Sequence, residues 1–299
     1  MTTGIADTKI TPSQTIDERV FDDGSSETYM QGLYNFNGIA YGVNRFEDIT
    51  DEHIAHFHDQ GYLVIHNAFN QTEVQDGLDG LMDLLDGSSP DFKGVMYEKA
   101  SQGIDVKSMP AEQKQNYVRK FMWFVEHDRR LKALSEHPKL MAVLSRILDD
   151  APDLFQDMAL LKPPHIGREK PWHQDHAYFN LPLETTVVGV WIALDEATTE
   201  NGCMVINPGT NRRGPVVHFR RRDWQICDTH VNNQGALAVP LKPGGCLLFH
   251  SFIQHGTPTN RTDMRRRAVQ YHYKPAGVDK IGPDLRLETF GSEGKDVTC

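Results

Sequence analysis

Pro171-Trp172-His173-Gln174-Asp175-His176-Ala177-Tyr178-Phe179 is the stretch whose setting decides the fold. In extended backbone successive side chains alternate faces, so His173 and Asp175 point one way and Gln174 the other. Around it, from residue 156 onward, lie short apolar runs at 158–161, 187–194, 204–206, 236–239, 246–249 and 268–273. They are separated by Pro163-Pro164, Asn201-Gly202, Pro208-Gly209 and Pro243-Gly244-Gly245. Short runs punctuated by tight-turn residues predict a β-sandwich or barrel.

Upstream the texture is helical. Thr50 reads as the N-cap of a short helix through His58, and Gly61 leads into the strand-like run Tyr62-Leu63-Val64-Ile65. Val74, Leu78, Leu81, Met82 and Leu85 fall at helical spacing within 71–85, and a further helical region covers 128–148 with a break near Pro138. Residues 1–45, rich in Thr, Ser, Asp, Gly and Asn, read as an irregular arm whose aromatics Tyr29, Tyr34, Phe36 and Tyr41 are available to pack on the body. The expected organisation is that arm followed by one domain, 46–299, with a helical front part at 46–150 and a barrel core at about 156–275.

The 31 Lys and Arg against 41 Asp and Glu give a net charge of −10, with 14 His counted neutral. An acidic chain has no general attraction to nucleic acid or anionic lipid, and both are excluded as first expectations. No apolar run approaches the roughly 20 residues that span a bilayer. The N-terminus lacks the basic and apolar regions of a secretion signal, so a cytoplasmic protein is expected. The four Cys form no C-x-x-C pair and are expected to be thiols.

A His-x-Asp triplet alone is weak evidence for a metal, since 14 His and 41 acids in 299 positions give 14 × 41/299, about two chance matches to the His-x-acid pattern. Context raises its value. His255 lies 82 residues on, just beyond the run at 246–249, where a strand end can deliver it beside His173 and Asp175. Two imidazoles and one carboxylate on one face leave three metal positions open, the facial arrangement of non-haem iron oxygenases. Arg266, before the strand-like run at 268–273, could fork onto a dicarboxylate reaching toward such a metal.

Lys162-Pro-Pro-His165, Pro171 to Phe179, Val190-Trp-Ile-Ala-Leu-Asp-Glu-Ala-Thr-Thr-Glu-Asn-Gly-Cys203, Asn207-Pro-Gly-Thr210 and Phe249-His250 through His255-Gly256, Asn260-Arg-Thr-Asp263 and Arg266 together resemble the phytanoyl-CoA dioxygenase family of Fe(II)- and 2-oxoglutarate-dependent oxygenases. The resemblance covers about residues 46–275. It implies a mainly β fold with flanking helices, a double-stranded β-helix of jelly-roll or cupin-like type. It implies iron on His173, Asp175 and His255, the distal carboxylate of 2-oxoglutarate on Arg266, and O2 as second cosubstrate. Thr257, Trp191, Gln174 and Lys120, or Arg119 in place of Lys120, match positions lining the cosubstrate pocket.

His176 and Tyr178 are placed to face a substrate. Asp175 fills the position where halogenating relatives carry a small residue, so hydroxylation of a small molecule is expected, with release of succinate and CO2. Desaturation, epimerisation or cyclisation on the same cofactors is the rival within enzymes, and a metal- or ligand-binding barrel without turnover the rival outside them. A zinc hydrolase lacks an H-E-x-x-H motif and leaves Arg266 without a task. The clusters Arg212-Arg213 and Arg220-Arg221-Arg222 could attract an anionic substrate or lie in a solvated loop.

Overall fold

The computed structural model describes residues 29–291. Two short strands lead in, β1 (Gly38–Ile39) and β2 (Gly42–Val43), then β3 (Tyr62–Ile65), β4 (Val95–Tyr97) and β5 (Val118–Met122). There follow β6 (Pro152–Lys162), β7 (Lys170–His173), β8 (Val188–Ala193), β9 (Met204–Asn207), β10 (His218–Arg220), β11 (Trp224–Ile226), β12 (Leu237–Val239), β13 (Cys246–His250), β14 (Gln254–Thr257) and β15 (Arg266–Pro275). The helices are α1 (Asp51–Gln60), α2 (Gln71–Asp86), α3 (Ala111–Lys114), α4 (Arg129–Ser135), α5 (Pro138–Leu148) and α6 (Asp284–Phe290).

The helices start and stop where local chemistry requires. Asn70 caps α2 by accepting from the backbone N–H of Thr72 and Glu73, and Asp128 does the same for α4 at Arg130 and Leu131. The break near Pro138 is the gap between α4 and α5, with Pro138 at the first turn, where its missing N–H costs nothing. Gly61 ends α1 in the left-handed region at φ 81°, a conformation that favours glycine.

A large sheet runs β2-β3-β13-β8-β15-β6-β5-β4, and a smaller one runs β1-β12-β9-β14-β7, with β10 and β11 pairing separately. The two sheets face each other: Tyr62, Val64, Trp191, Leu247 and Phe249 from the large one meet Met204, Ile206, Ala238 and Val239 from the smaller one. Alternate residues of the same strands, Val188, Val190, Ile192, Cys246, Leu248, Val269 and Tyr271, point the other way into a core shared with α2, α4 and α5. Burying one such aliphatic or aromatic side chain is worth about 1.5–3 kcal/mol, so this helix-covered face carries much of the stability. The architecture is the double-stranded β-helix, in open form: among the described residues no strand pairing closes the two sheets into a barrel.

The part at 46–150 is not purely helical, because β3, β4 and β5 belong to the large sheet. Of the arm, residues 1–28 lie outside the described residues. Residues 29–45 contribute β1 and β2, each pairing in parallel with a strand of the body. Tyr34 stacks on Trp172, with Tyr29 edge-on to it, whereas Phe36 and Tyr41 stay exposed. Cys203 and Cys246 are buried thiols, but Cys227 is disulfide-bonded, against the expectation for all four. No helix of the described residues is long and apolar enough to cross a membrane.

Candidate active site

β7 and β14 are antiparallel neighbours whose register sets His173 opposite His255. Their rings lie 4.2 Å apart between centroids. Asp175 does not continue the strand: the chain turns into a short 3-10 helix there, with the carboxylate brought within reach of both rings. One ligand atom from each of His173, Asp175 and His255 lies within 4.8 Å of the others, and all three residues are buried. Gly256, next to His255, is closely packed: a Cβ there would meet the Tyr34 ring at 3.0 Å and the Lys170 carbonyl at 3.1 Å, so its neighbours would have to give by a few tenths of an ångström.

Both imidazoles have a fixed tautomer. Nδ1 of His173 donates to the Pro171 carbonyl at 2.7 Å and Nδ1 of His255 to the Ile253 carbonyl at 3.0 Å; a carbonyl only accepts, so the proton is on Nδ1 in each. The Nε2 atoms then face Asp175 Oδ1, at 3.1 Å from His173 and 3.7 Å from His255. Burial pushes the His255 pKa down to about 3, with His173 beside it adding to the effect, so its ring is neutral and able to ligate. The other oxygen of Asp175, Oδ2, accepts from His272 Nε2 at 2.7 Å and from Gln270 Nε2 at 3.3 Å, which leaves Oδ1 free to face the imidazoles. Two imidazoles and one carboxylate oxygen, each oriented by a second hydrogen bond, suit a divalent first-row metal.

These groups open onto a cavity of about 280 Å³ that also receives Arg266, Thr257, Lys120 and Tyr178. Arg266 is 2% exposed, yet among the described residues no carboxylate lies within ion-pair distance of it. Its Nη1 donates to the Leu160 carbonyl at 3.0 Å, and its Nε has no partner. Burial lowers its pKa to about 10, still charged at neutral pH. A buried cation of this kind awaits an anion. Trp191 lies 5.5 Å from the guanidinium as a cation-π platform, while the ring itself is part of the core between the sheets. Thr257 Oγ1 accepts from the Lys170 N–H at 3.3 Å.

Two expected site residues lie elsewhere. Gln174 is fully buried and not in the cavity wall; its amide donates to the Gly214 and Phe252 carbonyls and accepts from Val216 N–H. It therefore ties loops together behind the metal ligands. His176 is also fully buried, stacked on Phe252 at 4.3 Å with Nδ1 3.1 Å from Ser251 Oγ. The 3-10 turn that redirects Asp175 carries it into the core beside α6. Tyr178 does reach the cavity and sets its ring edge-on to His173 at 5.8 Å.

The arginine clusters also separate. Arg212 pairs with Asp59 on the surface at 2.9 Å, away from the cavity. Arg222 is buried, holding Asp228 through two bonds and contacting Glu169. Its charge is spent on structure. Sequence reading missed Gln270 and His272, which share the inward face of β15 with Arg266, and also Lys170, Asp223, Glu98 and Lys162. The former had a signal in the i, i+2 spacing; the latter are brought together from segments far apart in the chain.

A family model described as phytanoyl-CoA dioxygenase (PhyH) matches residues 57–268. The Mus musculus protein named phytanoyl-CoA dioxygenase domain-containing protein 1 is 29% identical over 170 residues, covering 54% of this chain and 58% of that protein. The match thus spans less than two thirds of that relative's length. Among solved structures, EvdO2 from Micromonospora carbonacea var. aurantiaca complexed with 2-oxoglutarate aligns with a TM-score of 0.59 and 24% identity, covering 81% of this chain and 97% of that one. The non-haem alpha-ketoglutarate-dependent epimerase SnoN from nogalamycin biosynthesis aligns at 0.57 and 18%, covering 78% and 85%. At these identities the likeness is one of fold.

Proposed function

This chain belongs to the phytanoyl-CoA dioxygenase family, and from that premise we propose that it is an Fe(II)- and 2-oxoglutarate-dependent dioxygenase hydroxylating an unactivated C–H bond of a small molecule. The observation that carries the reading is one cavity holding three convergent ligand atoms and a buried arginine without a carboxylate partner among the described residues. His173, Asp175 and His255 would hold the iron, and Arg266 the far carboxylate of 2-oxoglutarate. Iron, 2-oxoglutarate and O2 together supply the oxidising chemistry, with succinate and CO2 as by-products.

The protein's share is orientation and exclusion of water. The Pro171 and Ile253 carbonyls keep each imidazole proton on Nδ1, away from the metal face. His272 and Gln270 hold Asp175 so that a single oxygen is presented. Leu160 and Trp191 fix the Arg266 guanidinium from two sides. Met158, Leu161, Phe179 and Met204 give the wall an apolar component that keeps bulk water out. No side chain is assigned as a separate general base.

Fe(II)- and 2-oxoglutarate-dependent succinate release, stimulated by candidate small molecules, tests the reading. Mass spectrometry of the stimulating compound tests the outcome: gain of one oxygen atom supports hydroxylation, whereas an unchanged mass with inverted stereochemistry, the reaction type of the neighbouring epimerase SnoN, would replace it with epimerisation. Succinate release in neither condition would overturn the proposal.

A further inference from the structure

The three metal-ligand residues are not supported alike. His173 and His255 sit on paired strands, where the β7–β14 register holds both backbones. Asp175 sits on a 3-10 turn of four residues, Asp175–Tyr178, which has few internal hydrogen bonds with which to keep its shape. Ala177 N–H donates to the Gln174 carbonyl and Phe179 N–H to the His176 carbonyl, each at 3.1 Å. His272 and Gln270 fix the Asp175 carboxylate, not the backbone that carries it. The carbonyls at the end of the turn therefore need partners from another element.

The C-terminal segment that holds α6 supplies them. The family match ends at residue 268, so α6 lies beyond it and its task is read from its own contacts. Arg286 Nε donates to Asn180 Oδ1 at 2.8 Å, and its Nη1 donates to the Ala177 carbonyl at 3.4 Å. Ahead of the helix, Ile281 N–H donates to the Asn180 carbonyl at 3.0 Å. At the far end Phe290 is fully buried, stacked on Phe252 at 6.1 Å and 6.3 Å from the ring of His176 on the turn. The Arg286 guanidinium also lies 5.5 Å from the Trp224 ring, and the Trp224 carbonyl accepts from the Tyr178 hydroxyl at 2.5 Å. Arg286 thus grips the turn on both sides of Tyr178.

We propose that Arg286 is a positioning residue for the metal site: from α6, anchored by Phe290, it holds the end of the turn that presents Asp175 and so keeps the carboxylate in register with the two strand-borne histidines. The inference rests on the proposed metal centre. Arg286 is not in the cavity wall, and its effect passes through the Ala177 carbonyl and the Asn180 side chain. A ligand set works only when held within about 0.5 Å of its productive geometry. Loss of the Arg286 hydrogen bonds therefore weakens metal binding without removing a ligand.

The test is Mn(II) titration of the metal-free protein, followed by the paramagnetic signal of free Mn(II), for the unaltered chain, Arg286→Met, Arg286→Lys and Glu288→Ala. Arg286→Met keeps the apolar stem and removes the donors, and it is expected to weaken binding about fivefold, less than the 10- to 100-fold typical of groups bonded to a ligand itself. Arg286→Lys restores a donor and should recover part of that loss. Glu288→Ala, at an exposed position of the same helix, should bind as the unaltered protein does. Amide hydrogen exchange of the metal-free protein reads the turn directly: faster exchange at Ala177 and Phe179 in Arg286→Met, with β15 unchanged, is expected. Unaltered Mn(II) affinity in Arg286→Met would overturn the proposal, as would an equal loss in Glu288→Ala. Failure of the metal centre itself would appear differently, as no Mn(II) binding by the unaltered protein, and unchanged exchange at the turn would then still overturn the hold of Arg286 on it.

Discussion

Strand β15 has two unlike faces. Outward, Val269, Tyr271 and Tyr273 pack into the helix-covered core, and the two tyrosine hydroxyls donate to the Leu131 and Ser135 carbonyls of α4 at 2.7 and 2.6 Å. Inward, Arg266, Gln270 and His272 meet the cavity and Asp175, and there Arg266 Nε and His272 Nδ1 are buried without partners among the described residues. Because buried polar atoms are normally satisfied, an orphaned pair on one face only is a mark of use. The outer face spends its interactions on stability, and the inner face keeps some for ligands. Substitutions on the two faces should therefore fail in different ways.

The largest expected effect is on the inner side. His255→Ala removes a metal ligand, and turnover should fall at least about 1000-fold while the thermal midpoint of the metal-free protein moves little; parallel succinate assays and melting curves check it. A mutant that simply unfolds would erase the distinction between the faces. On the outer side, Tyr271→Ala should cost about 3–5 kcal/mol of stability through cavity formation. Urea denaturation measures it, and metal affinity of the surviving folded fraction should be unchanged.

His272→Leu sharpens the comparison from within the inner face. It removes the main hydrogen bond to Asp175 Oδ2, and such loss of a ligand's support is expected to weaken metal binding about 10- to 100-fold. Mn(II) titration reads this directly. An affinity equal to that of the unaltered protein would make His272 a packing residue like its outward neighbours.

A pH effect comes next. Burial, reinforced by His176 and His58, lowers His250 from 6.5 to about 4 in the folded chain. The unfolded chain thus takes up a proton that the folded chain refuses, so this contribution to stability is complete above about pH 6.5 and falls as pH drops toward 4. Melting midpoints should decline across that window, and His250→Asn should flatten the profile. Smallest of all, Arg212→Ala breaks an exposed pair with Asp59 and should change stability by less than about 1 kcal/mol, with no effect on metal or 2-oxoglutarate binding.

The sequence was legible where one periodicity governed. The strand at Tyr62–Ile65, the two front helices and the break at Pro138 followed from apolar spacing and caps. The metal triad followed from a His-x-Asp step and a strand-end histidine, although Asp175 reaches its place through a 3-10 turn instead of by strand alternation. That same turn carries His176 into the core. Gln270 and His272 were readable by counting two and two again from Arg266, but polar residues at an inward position lack the apolar signal used to find strands. Lys170 with Asp223, and Glu98 with Arg119 and Arg168, were not readable: their partners lie 53, 21 and 70 residues apart and meet only through folding. Arg222 shows the converse, a charge run that looks solvated until Glu169 and Asp228 are folded around it.

The most direct measurement is an anaerobic titration of the metal-free protein with Fe(II) and 2-oxoglutarate, following the visible metal-to-ligand charge-transfer band. The account predicts a band saturating at one equivalent of each, absent in His173→Ala and requiring far more 2-oxoglutarate in Arg266→Ala. Tight binding of Fe(II) with no band at any 2-oxoglutarate concentration would contradict it.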